Sequence, residues 1–178
     1  MPFKPKDFKV ATQLPDNEAQ AREWQTHNRA WWEENSMRYD WRTKIGFAAG
    51  TSDYFNEIDK RFFGAVQQFL PWRDRPFDNL IDFESLKDKD VLEIGVGQGS
   101  HAQLIAPHCR SYAGIDITET ATKMTCRRLE LNKIQAAIFQ MDAENLSFHD
   151  ASFDYIWSWG LSTIQQIPSK FCRKCIGF

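Results

Sequence analysis

Val91-Leu92-Glu93-Ile94-Gly95-Val96-Gly97-Gln98-Gly99-Ser100 constrains the fold of this chain more than any other stretch, and His101-Ala102-Gln103-Leu104-Ile105-Ala106 follows it. An apolar run ends around an acid, three alternating glycines interrupt it, and an amphipathic segment begins. That order predicts a buried strand, a tight turn and the start of a helix. Glycine at 95, 97 and 99 lets the backbone turn sharply and leaves no Cβ between chain and ligand. A small molecule can therefore lie against the main chain.

Two cofactor classes use such a turn. The dinucleotide fingerprint needs G-x-G-x-x-G/A, its third small residue aiding helix–strand packing. Here the spacing is G-x-G-x-G, the third dinucleotide position is Ser100, and Glu93 stands two residues before the first glycine. The segment resembles motif I of the class I S-adenosylmethionine-dependent methyltransferases, E/D-x-G-x-G-x-G. An acidic site suits the ligand this implies, which carries a sulfonium and an ammonium but no phosphate.

The downstream residues extend the resemblance. Ser111–Ile117 reads as the next strand, ending in Asp116, 21 residues after Gly95. A βαβ unit returns its second strand end beside the glycine turn, where a carboxylate can accept hydrogen bonds from both ribose hydroxyls. Thr118 or Thr120 caps a helix over Ala121–Leu131, and 136–140 is a third short strand. Asp142 occupies the position where the family has an acid that meets the adenine amino group. Phe153-Asp154-Tyr155-Ile156-Trp157-Ser158 matches the family's motif IV, F-D-x-V/I-x-S.

The resemblance implies a cofactor set of Glu93, Gly95, Gly97 and Gly99 toward the methionine end, and Asp116 with Ile117 at the ribose. Asp142 and Ala143 would meet the adenine, and Ser158 and Trp159 the floor near the methyl group. Each acid also has an ordinary alternative: Glu93 as a cap of its own loop, Asp116 and Asp142 as strand-end turn formers. A nicotinamide-dependent oxidoreductase would use Asp116 but leaves Asp142 and the motif IV strand unexplained. No general base stands out, and His101 and His149 read as surface or helix-start residues.

Residues 1–88 read as an arm and helical cap rather than an independent domain. Residues 1–15 hold three prolines and little periodicity. From Asp16 a helix is expected, with Asp16 or Asn17 as N-cap. Ala21, Trp24, Asn28 and Trp31/Trp32 fall at helical spacing, a stripe that either packs on the main domain or forms a lid over an apolar substrate. By analogy with small-molecule methyltransferases whose pre-core segment closes over the cofactor, Arg38 and Tyr39 are lid candidates; otherwise they are surface groups with buried stems. Thr51-Ser52-Asp53 signals a second helix whose apolar face runs through Phe55, Ile58, Phe62, Phe63, Val66, Phe69 and Leu70. A linker, 71–88, packs down through Phe77, Leu80, Ile81 and Phe83.

Composition excludes several classes. With 178 residues, 42% hydrophobic and 26% charged, the chain is the size of one globular domain. A net charge of −2 and the lack of a Lys/Arg run argue against nucleic acid. No apolar stretch is long enough to span a bilayer, and Met1–Lys9 is no signal peptide. Four cysteines without a secretory signal suggest reduced thiols in a cytoplasm. The aromatic-rich cap points to a small apolar or phenolic methyl acceptor, the competing reading being a non-catalytic S-adenosylmethionine-binding fragment.

The family resemblance implies an α/β, Rossmann-like three-layer sandwich with a mostly parallel sheet and strand four beside strand one. Residues 89–160 supply the first four of its seven strands. The tail, 161–178, has no clear period and carries an isolated C-x-x-C at Cys172 and Cys175, without the partner pair a metal site needs. With chosen synonymous codons, shifting the frame by one base after Gly160 turns the tail into V-I-H-H and a capped amphipathic helix, as in the relatives. The expectation is a tail out of frame, leaving strand four as an uncovered edge prone to self-association.

Overall fold

The computed structural model describes residues 15–40 and 42–160. Within them β1 (Asp90–Ile94), β2 (Ser111–Asp116), β3 (Ala137–Gln140) and β4 (Tyr155–Ser158) form one parallel sheet in the order β3-β2-β1-β4. The central strands β1 and β2 are covered on both sides, which is why they read as near-continuous apolar runs. Val91 and Tyr112 face one side, with Ala102, Ile105, Leu129 and Trp157. Leu92, Ile94, Ala113 and Ile115 face the other, with Leu146.

Among the described residues four α-helices flank the sheet: α1 (Glu18–Glu34), α2 (Ser52–Val66), α3 (Ser100–Ile105) and α4 (Glu119–Leu131). Phe62 and Val66 of α2 join α3 and α4 over the Val91 side of the sheet. The opposite side is covered by the β3–β4 connection through Met141, Ala143, Phe148 and Phe153. The α/β, Rossmann-like order with strand four beside strand one is thus present. Among the described residues β4 pairs only with β1. The tail, its C-x-x-C and the frame-shifted reading lie outside the described residues, as does the arm before Pro15.

Local chemistry sets the helix starts. Asn17 Oδ1 accepts the Gln20 N–H at 3.0 Å, Thr51 Oγ1 that of Tyr54 at 3.3 Å, and Thr118 Oγ1 that of Ala121 at 3.3 Å. Asn17 and Thr118, rather than Asp16 and Thr120, are therefore the caps. Thr120 has another role: the Glu33 carboxylate, near the end of α1, accepts the N–H groups of Glu119 and Thr120 at 2.9 and 2.8 Å and the Thr120 hydroxyl.

Two packing expectations need correction. The α1 stripe does not pack into the core: α1 has no buried residue, and Trp31 is 54% exposed. The helix is anchored through Glu33 at the positive end of α4 instead. Of the linker residues, Phe77, Ile81 and Phe83 are buried, but Leu80 is half exposed. Phe77 N-terminal to the Leu80 and Ile81 amides turns the chain so that only Ile81 points inward, the two N–H groups donating to the Phe77 carbonyl at 2.9 and 2.8 Å.

One buried cation joins the cap to the sheet domain. Arg128 of α4 is wholly buried; its Nη1 donates to Asp59 at 2.8 Å and to Ser100 Oγ at 3.1 Å, and its Nη2 to the Phe55 carbonyl at 3.1 Å. Through these bonds α2 is tied to α4 and to the start of α3.

Gly114 of β2 leaves no room for a side chain. A Cβ there would sit 2.5 Å from Val96 Cγ1 and 2.9 Å from Ile138 Cδ1. Gly114→Ala is expected to destabilise the fold by about 1–3 kcal/mol through overpacking, read as a lower urea midpoint with an unchanged slope.

Candidate active site

A cleft of about 410 Å³ opens over the C-terminal ends of β1 and β2. Strand order reverses between β1 and β4, the position where open α/β sheets hold ligands. One wall is the glycine turn with Asp116, Ile117 and Thr118; Met141, Ala143 and Trp159 lie at another side; Trp32, Met37, Tyr39, Phe62 and Val66 come from the cap.

The turn is held by its own backbone. The Gly95 and Val96 N–H groups donate to the Ile115 carbonyl at 2.8 and 3.1 Å, and the Gly99 N–H to the Val96 carbonyl at 2.8 Å. All three glycines have positive φ, 80°, 53° and 78°, conformations that side chains rarely adopt. Their tasks differ. A Cβ on Gly97 would meet nothing within 4 Å, so this is the bare surface beside the cleft. A Cβ on Gly99 would press on Thr125 of α4 at 3.1–3.2 Å, so Gly99 is bare for helix packing and does not line the cleft.

Asp116 fixes the next strand end to this turn. Its Oδ2 accepts the Gly97 N–H at 3.1 Å; its Oδ1 accepts the Thr118 N–H at 3.0 Å and the Thr118 hydroxyl at 2.8 Å. A carboxylate has about four acceptor sites, so capacity remains on the cleft side for ligand hydroxyls.

Of the expected cofactor set, the structure brings Gly95, Gly97, Asp116, Ile117, Ala143 and Trp159 to the cleft, together with Tyr39. Glu93 is not there. It is 1% exposed and lies beneath the turn, where the Tyr112 hydroxyl donates to its Oε2. Burial, then the charge of Asp116, holds its carboxyl well above the usual range. The period of two along β1 sends Glu93 to the helix side with Val91, so the acid of the motif supports the turn from behind. Asp142 spends Oδ1 on the Glu144 N–H at 2.8 Å, and its neighbour Ala143 lines the cleft instead. Ser158 ends β4 exposed, and Arg38 turns to Asp40 at 3.7 Å. Tyr39 packs against Phe62 with ring centroids 5.0 Å apart, and burial followed by the charge of Asp59 pushes its hydroxyl up to about 12.

His101 overturns the reading of it as a surface residue. It does start α3, but it is 7% exposed and lines the cleft. Phe77, Phe62, Trp157 and Trp159 surround the imidazole at centroid distances of 4.7, 5.2, 5.4 and 6.0 Å. Burial, reinforced by the Arg128 charge, pushes it down to about 3. The signal was present in the spacing: His101, Ala102 and Ile105 share the inward face of a helix. Among the described residues no group of three His, Cys, Asp or Glu side chains is placed to hold a metal ion. Nor, among them, is any helix long and apolar enough to cross a membrane.

Comparison with known proteins agrees with this geometry. A family profile described as "Methyltransferase domain" matches residues 91–176, from β1 into the tail. A phthiotriol/phenolphthiotriol dimycocerosates methyltransferase of Mycobacterium ulcerans is 37% identical over 93 residues, covering 51% of this chain and 34% of that protein. A Methanocaldococcus jannaschii protein assigned as a protein N5-glutamine methyltransferase is 37% identical over 84 residues, covering 44% of this chain and 38% of its own length. The chain therefore spans about a third of the length of these curated relatives. A solved Methanococcus maripaludis structure assigned as an S-adenosyl-L-methionine-dependent methyltransferase shares the fold at a TM-score of 0.53 and 18% identity, over 75% of this chain and 59% of that one. From β1 onward the chain is thus similar to methyltransferase domains.

His101 makes the stability of the fold depend on pH. The folded protein keeps the imidazole neutral down to about pH 3, whereas an unfolded chain protonates it near 6.5. Between these values the unfolded state binds the extra proton, so this contribution is full above about 6.5 and is lost as pH falls. Chemical denaturation at pH 7 and pH 5 is expected to show a smaller loss in His101→Phe than in the wild type.

Proposed function

We propose that this chain binds S-adenosylmethionine in the cleft and presents its methyl group to a small apolar acceptor held under the α1–α2 cap. The observation that carries the reading is the bare Gly97 surface, bonded to the Asp116 carboxylate at the point of strand reversal. The residues present fit the donor. Asp116 has acceptor capacity for ribose hydroxyls, Met141 and Ala143 offer an apolar bed for the adenine, and the buried Gln98 Oε1 has no partner among the described residues.

When bound, S-adenosylmethionine supplies a methyl group already activated on a sulfonium. The chain's own work is then positioning and exclusion of water. Asp116 orients the ribose, Ile117 packs beside it, and the Gly95–Gly97 backbone lets the methionine end lie close. Tyr39, Phe62 and Trp159 shield the reacting region from solvent. Most of the cap's contribution to the lining is apolar, which favours an apolar acceptor over a charged one. The dimycocerosate acceptors in the name of the Mycobacterium ulcerans relative support the same class. The free thiols of Cys109 and Cys126 suit a reducing cytoplasmic compartment.

Calorimetry with S-adenosylmethionine and S-adenosylhomocysteine tests donor capture. The wild type is expected to bind both, and Asp116→Ala to lose about tenfold to hundredfold in affinity, the worth of hydrogen bonds to a charged group, about 1.5–3 kcal/mol. Unchanged affinity in the variant, or preferred binding of NAD, would sink the reading. Because the chain spans about a third of its curated relatives, donor binding without transfer of a tritiated methyl group would favour the non-catalytic alternative.

A further inference from the structure

We propose that His101 is the acceptor-recognition group of this cleft, hydrogen-bonding the hydroxyl of a ring-bearing alcohol or phenol seated between Phe62 and Trp159. This rests on the methyl-transfer reading and gives its acceptor a chemical class.

The imidazole sits in a box of four aromatic rings with unequal sides. Phe77 and Trp157 back it from the core, while Phe62 and Trp159 also line the cleft. His101 itself lines the cleft, so the side of the box that faces the ligand space is the one flanked by Phe62 and Trp159. Among the described residues neither Nδ1 nor Nε2 has a hydrogen-bond partner. A buried polar group left in that state bears a desolvation penalty that nothing offsets. A protein that packs an imidazole among aromatics at that cost, beside its ligand cleft, has kept it for something that enters.

Charge narrows what enters. The positive charge of Arg128 reaches the imidazole and disfavours a cationic group. Asp116 on the cleft wall disfavours an anionic one. A neutral polar group remains, and a hydroxyl is the smallest that serves either tautomer: it donates to the bare nitrogen or accepts from the N–H. The ring-lined surroundings suit an aromatic or alicyclic body, which prefers offset or edge contacts with such rings. The depressed basicity makes His101 an orienting group for the hydroxyl rather than an acceptor of its proton.

The test is calorimetric titration of the full chain with 2-naphthol and with 2-methoxynaphthalene, which keeps the rings and lacks the hydroxyl. Each titration is run with and without saturating S-adenosylhomocysteine. The wild type is expected to prefer the naphthol by tenfold or more. His101→Phe, which fills the box without nitrogens, is expected to bring the ratio close to one, and His101→Asn to restore part of it. Equal binding of the two probes by the wild type, or a preference that survives in His101→Phe, overturns the proposal. Should the Phe variant fail to fold, the wild-type ring resonances of His101 decide. Movement with 2-naphthol and not with the ether supports the role, and no movement with either overturns it. Failure of S-adenosylhomocysteine to bind overturns the donor-site reading separately, because the naphthol ratio is also measured without it.

Discussion

The rest of the structure depends on one buried guanidinium. Arg128 is out of water altogether, and such a charge is tolerated only where partners replace its hydration. Those partners come from two distant parts of the chain: Asp59 and the Phe55 carbonyl on α2, and Ser100 at the start of α3. Ser100 Oγ itself donates to Asp59 at 2.6 Å, and the guanidinium carbon lies 4.6 Å from the Phe55 ring centre. Burial lowers the guanidinium's proton affinity and Asp59 partly restores it. Ion pairs of this kind are weak evidence for net stability. Their geometric effect here is definite: Ser100 directly follows the glycine turn, so the turn, the cap and α4 are held in one register.

The two acids nearest the turn do opposite jobs because they have opposite surroundings. Asp116 ends β2 at the cleft and spends its charge on the Gly97 and Thr118 donors. Glu93 lies under the same turn, with the Tyr112 hydroxyl as hydrogen-bond donor and the field of Asp116 acting against its ionisation. Holding the Glu93 carboxyl well above its usual range in this way spares the core a buried charge.

Much of this was legible in the sequence where a local rule acts without competition. The glycine spacing fixed a strand, a turn and a helix start, and the 21-residue interval put Asp116 beside the turn. Strand order came from the family resemblance, not from periodicity. Position next to a motif did not by itself show which way a polar side chain points. Side-chain alternation sends Glu93 to the helix side. A local turn takes up Asp142, leaving Ala143 to line the cleft. His101 was read by its polarity rather than by the helix face it shares with Ile105, and the Trp31 stripe by its hydrophobicity rather than by what α1 has to pack against. The Arg128 cluster joins residues up to 73 positions apart and left no mark that a window of sequence could show.

The way α1 is attached has a consequence for traffic through the cleft. Its Asn28 and Trp32 roof the ligand space, yet none of its side chains is buried and the anchor described here is the Glu33 carboxylate at the start of α4. Lifting such a helix exposes little new apolar surface, so its opening belongs to the cheap local excursions of a folded protein. Molecules can then come and go while the sheet stays intact. The Thr120 and Glu119 donors hold the Glu33 carboxyl below its ordinary range, and an exposed contact of that type weakens with ionic strength. Acid that protonates Glu33 removes this anchor, and salt weakens it.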